Sequence, residues 1–112
     1  MLLKLPENEG KIIWTSHSKA KMRQYQFSEK RVLRILRKPD RKEVGIALGT
    51  IASMQKAGTK KHPGEVWLMY VVLKKPKGIK MISAWRYPGI TPLGKMPTIP
   101  EDTLEELALL QA

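Results

Sequence analysis

The stretch Glu65-Val66-Trp67-Leu68-Met69-Tyr70-Val71-Val72-Leu73-Lys74, followed by Lys75-Pro76-Lys77-Gly78 and then Ile79-Lys80-Met81-Ile82-Ser83-Ala84-Trp85-Arg86-Tyr87, decides the fold. Its first segment is apolar at both parities: Val66, Leu68, Tyr70 and Val72 on one, Trp67, Met69, Val71 and Leu73 on the other. Successive side chains of a strand point to opposite faces, so this segment needs cover on both and belongs at the centre of a sheet. The Lys-Pro-Lys-Gly run reads as a hairpin turn and residues 79–87 as the partner strand, closed by Pro88-Gly89. Strict alternation places Lys80, Ile82, Ala84 and Arg86 on one face, and Ser83, Trp85 and Tyr87 on the other.

Upstream, residues 43–56 are rich in Val, Ile and Ala, with Gly45 and Gly49 inside. They read as one bent strand or a tight hairpin. Lys60 to Gly64 forms a turn. Ser28 caps a helix over 29–38, stopped by Pro39-Asp40, with Val32, Leu33, Ile35 and Leu36 as its apolar stripe. Ser16 caps an earlier helix over 17–26, behind a short strand at Lys11–Trp14. Pro6, Asn8 and Gly10 make residues 1–10 a flexible arm. Downstream, residues 88–100 are a Pro- and Gly-rich loop. Thr98 and Glu101 resemble a capping box for a last helix over 100–111, with Leu104, Leu107 and either Leu110 or Ala108 on its apolar face. The order β-α-α-β-β-β-α predicts one α+β domain over residues 11–112. Two N-terminal helices would cover one face of a small twisted antiparallel sheet, with a C-terminal helix added.

The chain has 112 residues, 42% of them hydrophobic, three Trp and no Cys. That is one core's worth of folded chain, with no disulfide, thiolate site or Cys nucleophile. The N-terminus is too short and broken for a signal peptide, and no apolar run approaches a membrane span, so the expected location is the cytoplasm. Lys and Arg number 21 against 10 Asp and Glu. The first hundred residues hold all of those bases and only six of the acids, a net +15; Glu101, Asp102, Glu105 and Glu106 supply the rest. Such a body attracts polyanions by field steering and counterion release, and the excess is larger than solubility requires. Ten bases fall between residues 19 and 42, against only Glu29 and Asp40. Two acids cannot pair ten bases, so this segment is the strongest candidate for nucleic-acid contact, through Arg23, Lys30, Arg31, Arg34, Arg37, Lys38 and Arg41. An anionic membrane surface would suit a basic helix too, but its apolar stripe is needed for the core.

Chemistry-bearing residues are few. His17, Lys21 and Gln24 share one face of the first helix, where His can move protons and Lys can hold a phosphate; a capping-turn His beside solvated lysines is the plainer reading. Arg86, near the end of a buried strand, could clamp phosphate, and Tyr87 could donate a proton or stack on a base. Trp14, Trp67 and Trp85 read as core. With only His17 and His62 and no acids beside them, no metal site or cofactor is expected.

Ser16-His17-Ser18-Lys19-Ala20-Lys21-Met22, followed by Phe27-Ser28 and a basic helix ending at Pro39, resembles a family of small bacterial and phage proteins. Its members open with His, then Arg-Met, a second Arg, a Gly-Ile-Ser helix start and a closing Pro. Lys80-Met81-Ile82-Ser83-Ala84-Trp85-Arg86 resembles the Ile-Ser-Ala-Arg strand of BrnT-type toxins, relatives of the RelE and ParE toxins. Together the likeness covers about residues 12–88. It implies a RelE-like fold, metal-independent RNA cleavage often on the ribosome, and a cognate antitoxin that covers the active face. His17 and Arg86 match the pattern. Lys21 and Tyr25 stand where the two arginines are usual, Phe27 where Ile is, and Trp85 is inserted before Arg86.

The first expectation is therefore a toxin-type metal-independent ribonuclease, with Arg86 and Lys21 stabilising phosphate and His17 or Tyr87 transferring the proton. The alternatives are a non-catalytic basic nucleic-acid-binding module and, from the acidic terminal helix, a protein-interaction accessory of a phage or mobile element.

Overall fold

In a computed structural model that describes residues 11–44, 49–93, 95 and 98–111, the chain runs β1 (Lys11–Trp14), α1 (Ser16–Tyr25), α2 (Glu29–Arg37), β2 (Arg41–Val44), β3 (Thr50–Gly58), β4 (Pro63–Lys74), β5 (Lys77–Pro88) and α3 (Glu101–Gln111). The expected arm, residues 1–10, lies outside the described residues. The five strands form one sheet in the order β1-β5-β4-β3-β2, so β4 is central as its two-faced apolarity requires. Residues 65–70 are buried on both faces; beyond them Val72 is half-exposed where cover ends. Residues 43–56 resolve into the hairpin alternative, β2 against β3 with Arg41 opposite Met54 and Val44 opposite Ile51. The α+β class, the two N-terminal helices and the C-terminal helix are as expected.

The sheet is mixed rather than antiparallel. β1 pairs parallel with β5, Lys11 opposite Gly78 and Trp14 opposite Met81. The register partners lie 67 positions apart in the chain, and local pattern carries no information on the direction of their pairing. The approach is close: a Cβ on Gly78 would stand 2.7 Å from the Lys11 carbonyl oxygen, so glycine is what admits β1. Thr15, not Ser16, caps α1. Its Oγ1 accepts from the Ser18 N–H at 3.1 Å and donates to the Met81 carbonyl at 2.7 Å, pinning the helix start to β5. Gln26 closes α1 in the left-handed region at φ 60°, and Ser28 caps α2 by accepting from the Arg31 N–H.

Two cores lie on opposite faces of β4. On one, Val66, Leu68 and Tyr70 meet Met22, Phe27 and the apolar stripe of α2, Val32, Leu33, Ile35 and Leu36. On the other, Trp67 and Met69 meet Trp85, Ile82, Ile99 and Leu107 of α3. Trp67 and Trp85 are register partners, a cross-strand aromatic pair buried completely. Strict alternation fails in β5. Met69 pairs with Ser83 but Tyr70 with Met81, so Ile82 is an extra, bulged residue. Ile79, Met81, Ala84 and Arg86 thereby share the α2 side, while Ile82, Ser83 and Trp85 share the α3 side. α3 starts at Glu101 with Pro100 before it, whose carbonyl accepts from the Thr103 and Leu104 N–H groups; Thr98 is too far upstream to cap it. It docks through Thr103 and Leu107, with Ile99 beside them. Leu104 is 42% exposed, Ala108 is exposed, and the Leu110 side chain is outside what is described. No helix among the described residues is long and apolar enough to cross a membrane.

Candidate functional site

The apolar stripe of α2 faces the sheet, which leaves its basic residues outward. Lys30, Arg34 and Arg37 recur at one-turn spacing, and with Lys38 and the edge of Leu33 they line a shallow concavity of about 430 Å³. Among the described residues, Lys30, Arg34 and Lys38 have no ion-pair partner. The face continues across the sheet. Phe27, 5% exposed, seats two guanidiniums on its ring: Arg31 at 5.4 Å and Arg86 at 5.3 Å from the centroid. Burial, and then the charges of Arg86 and Arg34, push the Arg31 pKa down from its usual value. Three guanidiniums thus oppose one another in one neighbourhood, an arrangement that a phosphate would relieve.

A second polar group lies on the α3 side. His17 Nε2 is 3.2 Å from Thr103 Oγ1, and Thr103 Oγ1 is 2.8 Å from Ser83 Oγ, with Ser83 and Thr103 fully buried. Lys21, 3% exposed, bonds both Asp102 oxygens at 3.0 and 3.2 Å and lies over the Tyr25 ring at 5.1 Å. Desolvation pushes the Asp102 carboxyl up. The Lys21 hydrogen bond and charge, the His17 charge and the Thr103 N–H outweigh it and hold the carboxyl below its usual range. These contacts join α1 to α3. Tyr87 is half-buried on the same α3-side core. Trp85 Nε1, in the same core, is buried without a hydrogen-bond partner among the described residues.

The candidate residues therefore fall into two places. Arg86 joins Arg31 and Arg34 on the α2 side, whereas His17 and Lys21 bond to α3, whose Thr103 hydroxyl also meets Ser83 of β5. Alternation alone parts Arg86 from Ser83, and the bulge at Ile82 is what sets Arg86 on the same side as Ile79 and Met81. Arg41 is spent elsewhere: it pairs with Glu43 at 2.7 Å, donates to the carbonyls of Thr91, Pro92 and Lys95, and lies over Trp67. Arg23 stays exposed on α1 and, with Lys19, borders a notch at the α1–α2 corner. Sequence reasoning missed Phe27 as the seat for both guanidiniums, and Thr103 as the partner of His17. It also missed Glu65, fully buried, which accepts from Trp67 Nε1 at 3.0 Å and from the Thr91 hydroxyl at 2.7 Å and so ties down the loop after β5. The signal for Glu65 was an acid at the head of a two-faced apolar strand, where only a hydrogen-bonded carboxylate survives burial. No group of three or more His, Asp or Glu among the described residues could hold a metal ion.

Comparison with known proteins finds no family profile, no curated protein and no solved structure that matches this chain.

Proposed function

We propose that the protein is an RNA-binding module that holds the phosphate backbone along α2 and at the Arg31–Arg86 pair. The observation that carries this reading is the basic face itself: Arg31, Arg34 and Arg86 gathered around Phe27, continuous with Lys30 and Lys38, with no acid neutralising them among the described residues. Like charges held together by a fold are a cost unless a partner offsets it, and a polyanion does so while releasing its counterions. The likeness to BrnT- and RelE-type toxins adds RNA as the polyanion, a fold of that kind, and a cognate antitoxin as the protein that would cover the same face.

A toxin-type metal-independent ribonuclease is the second reading, and the seat of Arg86 beside Arg31 favours it, since a cleaving site needs guanidiniums on the phosphate. Its proton donor, Tyr87 or His17, would then have to act from the α3 side, away from the seat of Arg86 over Phe27. Binding is put ahead of cleavage because His17 and Lys21 are bonded to α3.

The test is single-stranded RNA binding between about 50 and 200 mM salt. Replacing Lys30, Arg34 and Lys38 together by Gln is expected to flatten the slope of log K against log salt by roughly two, for three lost phosphate contacts on a single strand. An unchanged slope would reject the α2 face. The same RNA, incubated with protein and a chelator, separates the readings. New products that vanish in Arg86→Ala make the protein a ribonuclease; salt-sensitive binding without products makes it a binder. Absence of any binding at low salt would leave the protein-interaction accessory as the reading.

A further inference from the structure

The corner where α1 hands over to α2 is not filled. Gln26 turns the chain sharply in the left-handed region, and β1 ends at Trp14 beneath that turn. The result is a notch of about 310 Å³, at the small end of the range for ligand pockets and of a size for one nucleoside. Trp14, Met22 and Phe27 make its apolar wall; Lys19 and Arg23, one turn apart on α1, stand at one side; Gln26 and Glu29 stand at the corner. Trp14 is the odd tryptophan of the three. Trp67 and Trp85 are sealed in the core, while Trp14 is only half-buried and lines this notch. Phe27 belongs to both the notch wall and the seat of Arg31 and Arg86, so notch and guanidinium pair adjoin across one ring.

We propose that this notch is a nucleobase slot, in which Trp14 stacks on an unpaired base while Gln26 and Glu29 read its edge. The inference rests on the RNA-binding reading and deepens it from backbone contact to base contact. An indole beside cations is the usual platform for single strands, because every base offers a π-face and every nucleotide a neighbouring phosphate. Lys19 and Arg23 meet the strand's charge on one side, and Arg31 and Arg86 meet it beyond Phe27. Glu29 sets the chemistry of the edge. A carboxylate only accepts hydrogen bonds, so it favours a base with an amino group, as cytosine offers at N4, over uracil with a carbonyl there.

The experiment titrates the full chain with three short strands of equal length: oligocytidine, oligouridine and an abasic ribose-phosphate chain. With Trp67 and Trp85 shielded, quenching of tryptophan fluorescence reports on Trp14. Oligocytidine is expected to quench and to bind roughly 10-fold more tightly than the abasic chain. Trp14→Leu should erase that margin and Trp14→Phe should keep it. The exposed Glu29→Gln should bring oligocytidine and oligouridine level, since an amide serves either base. Equal binding of oligocytidine and the abasic chain, or a margin that survives Trp14→Leu, overturns the slot while the backbone reading stands. Failure of all three strands to bind overturns both.

Discussion

An ammonium as buried as that of Lys21 needs a carboxylate, and Asp102 supplies it at 3.0 Å from a position half in water. The two partners are unequal, so removing one is not like removing the other. Asp102→Asn leaves a buried charge with a weaker partner and, with Asp102 half-exposed, is expected to cost up to about 1 kcal/mol in urea unfolding near neutral pH. Adding Lys21→Met to that variant should recover most of the loss, because a buried charge pair is replaced by an apolar side chain of similar length. The pH dependence has a definite sign. The folded carboxyl is held below its unfolded value, so its contribution is complete above the ordinary carboxylate pKa of about 4 and is lost as pH falls through the lowered value. With Asp102 half-exposed, that contribution is under about 1 kcal/mol. Wild type should lose stability faster than Asp102→Asn on acidification below about pH 4; parallel curves would mean that the pair contributes nothing.

At the scale of elements, α2 was legible from its period, β4 from its apolarity at both parities, and the other helices and β5 from the caps and breakers that bound them. Ser28 and Pro39 bracket α2, and Val32, Leu33, Ile35 and Leu36 recur at helical spacing between them. Alternation set Arg86 beside Ala84 and opposite Ser83, but that it shares a side with Ile79 and Met81 was not legible. One bulged residue, Ile82, reverses the facing of β5 beyond it, and a run of Met, Ile, Ser and Ala carries no mark of where the extra residue falls. The direction of β1 was hidden for a related reason, since parallel pairing is decided by residues far apart in the chain. Gly78 is its trace in the sequence, read there only as part of a turn. Gly78→Ala puts a methyl against the Lys11 carbonyl, a backbone atom that cannot swing aside. It is expected to cost about 1–3 kcal/mol and to raise amide exchange across residues 11–14, with β2–β3 unaffected. Unchanged protection in β1 would show that the strand shifts at no cost.

At the scale of the whole molecule, charge and core divide differently along the chain. Four of the ten acids gather in the last twelve residues, yet α3 is no detachable acidic tail: Ile99, Thr103 and Leu107 close the core over Trp67 and Trp85. Two such apolar side chains contribute about 1.5–3 kcal/mol each, a large share of a small domain's stability. Deleting residues 98–112 is therefore expected to abolish the cooperative thermal transition and to shift Trp85 emission to the red. A folded truncation with an intact transition would show instead that α3 is an accessory, and tighter RNA binding by it would show that its acids compete with the strand. Composition and local periodicity by themselves determined the α+β class, the central place of β4, the capped α2 and the basic character of its outer face, because each is written in neighbouring residues. Only the tertiary structure decided that Arg86 joins Arg31 over Phe27 while His17 and Lys21 turn to α3. Those groupings depend on one bulge, one parallel pairing and the docking of α3, all contacts between residues remote in sequence whose energies no local pattern records.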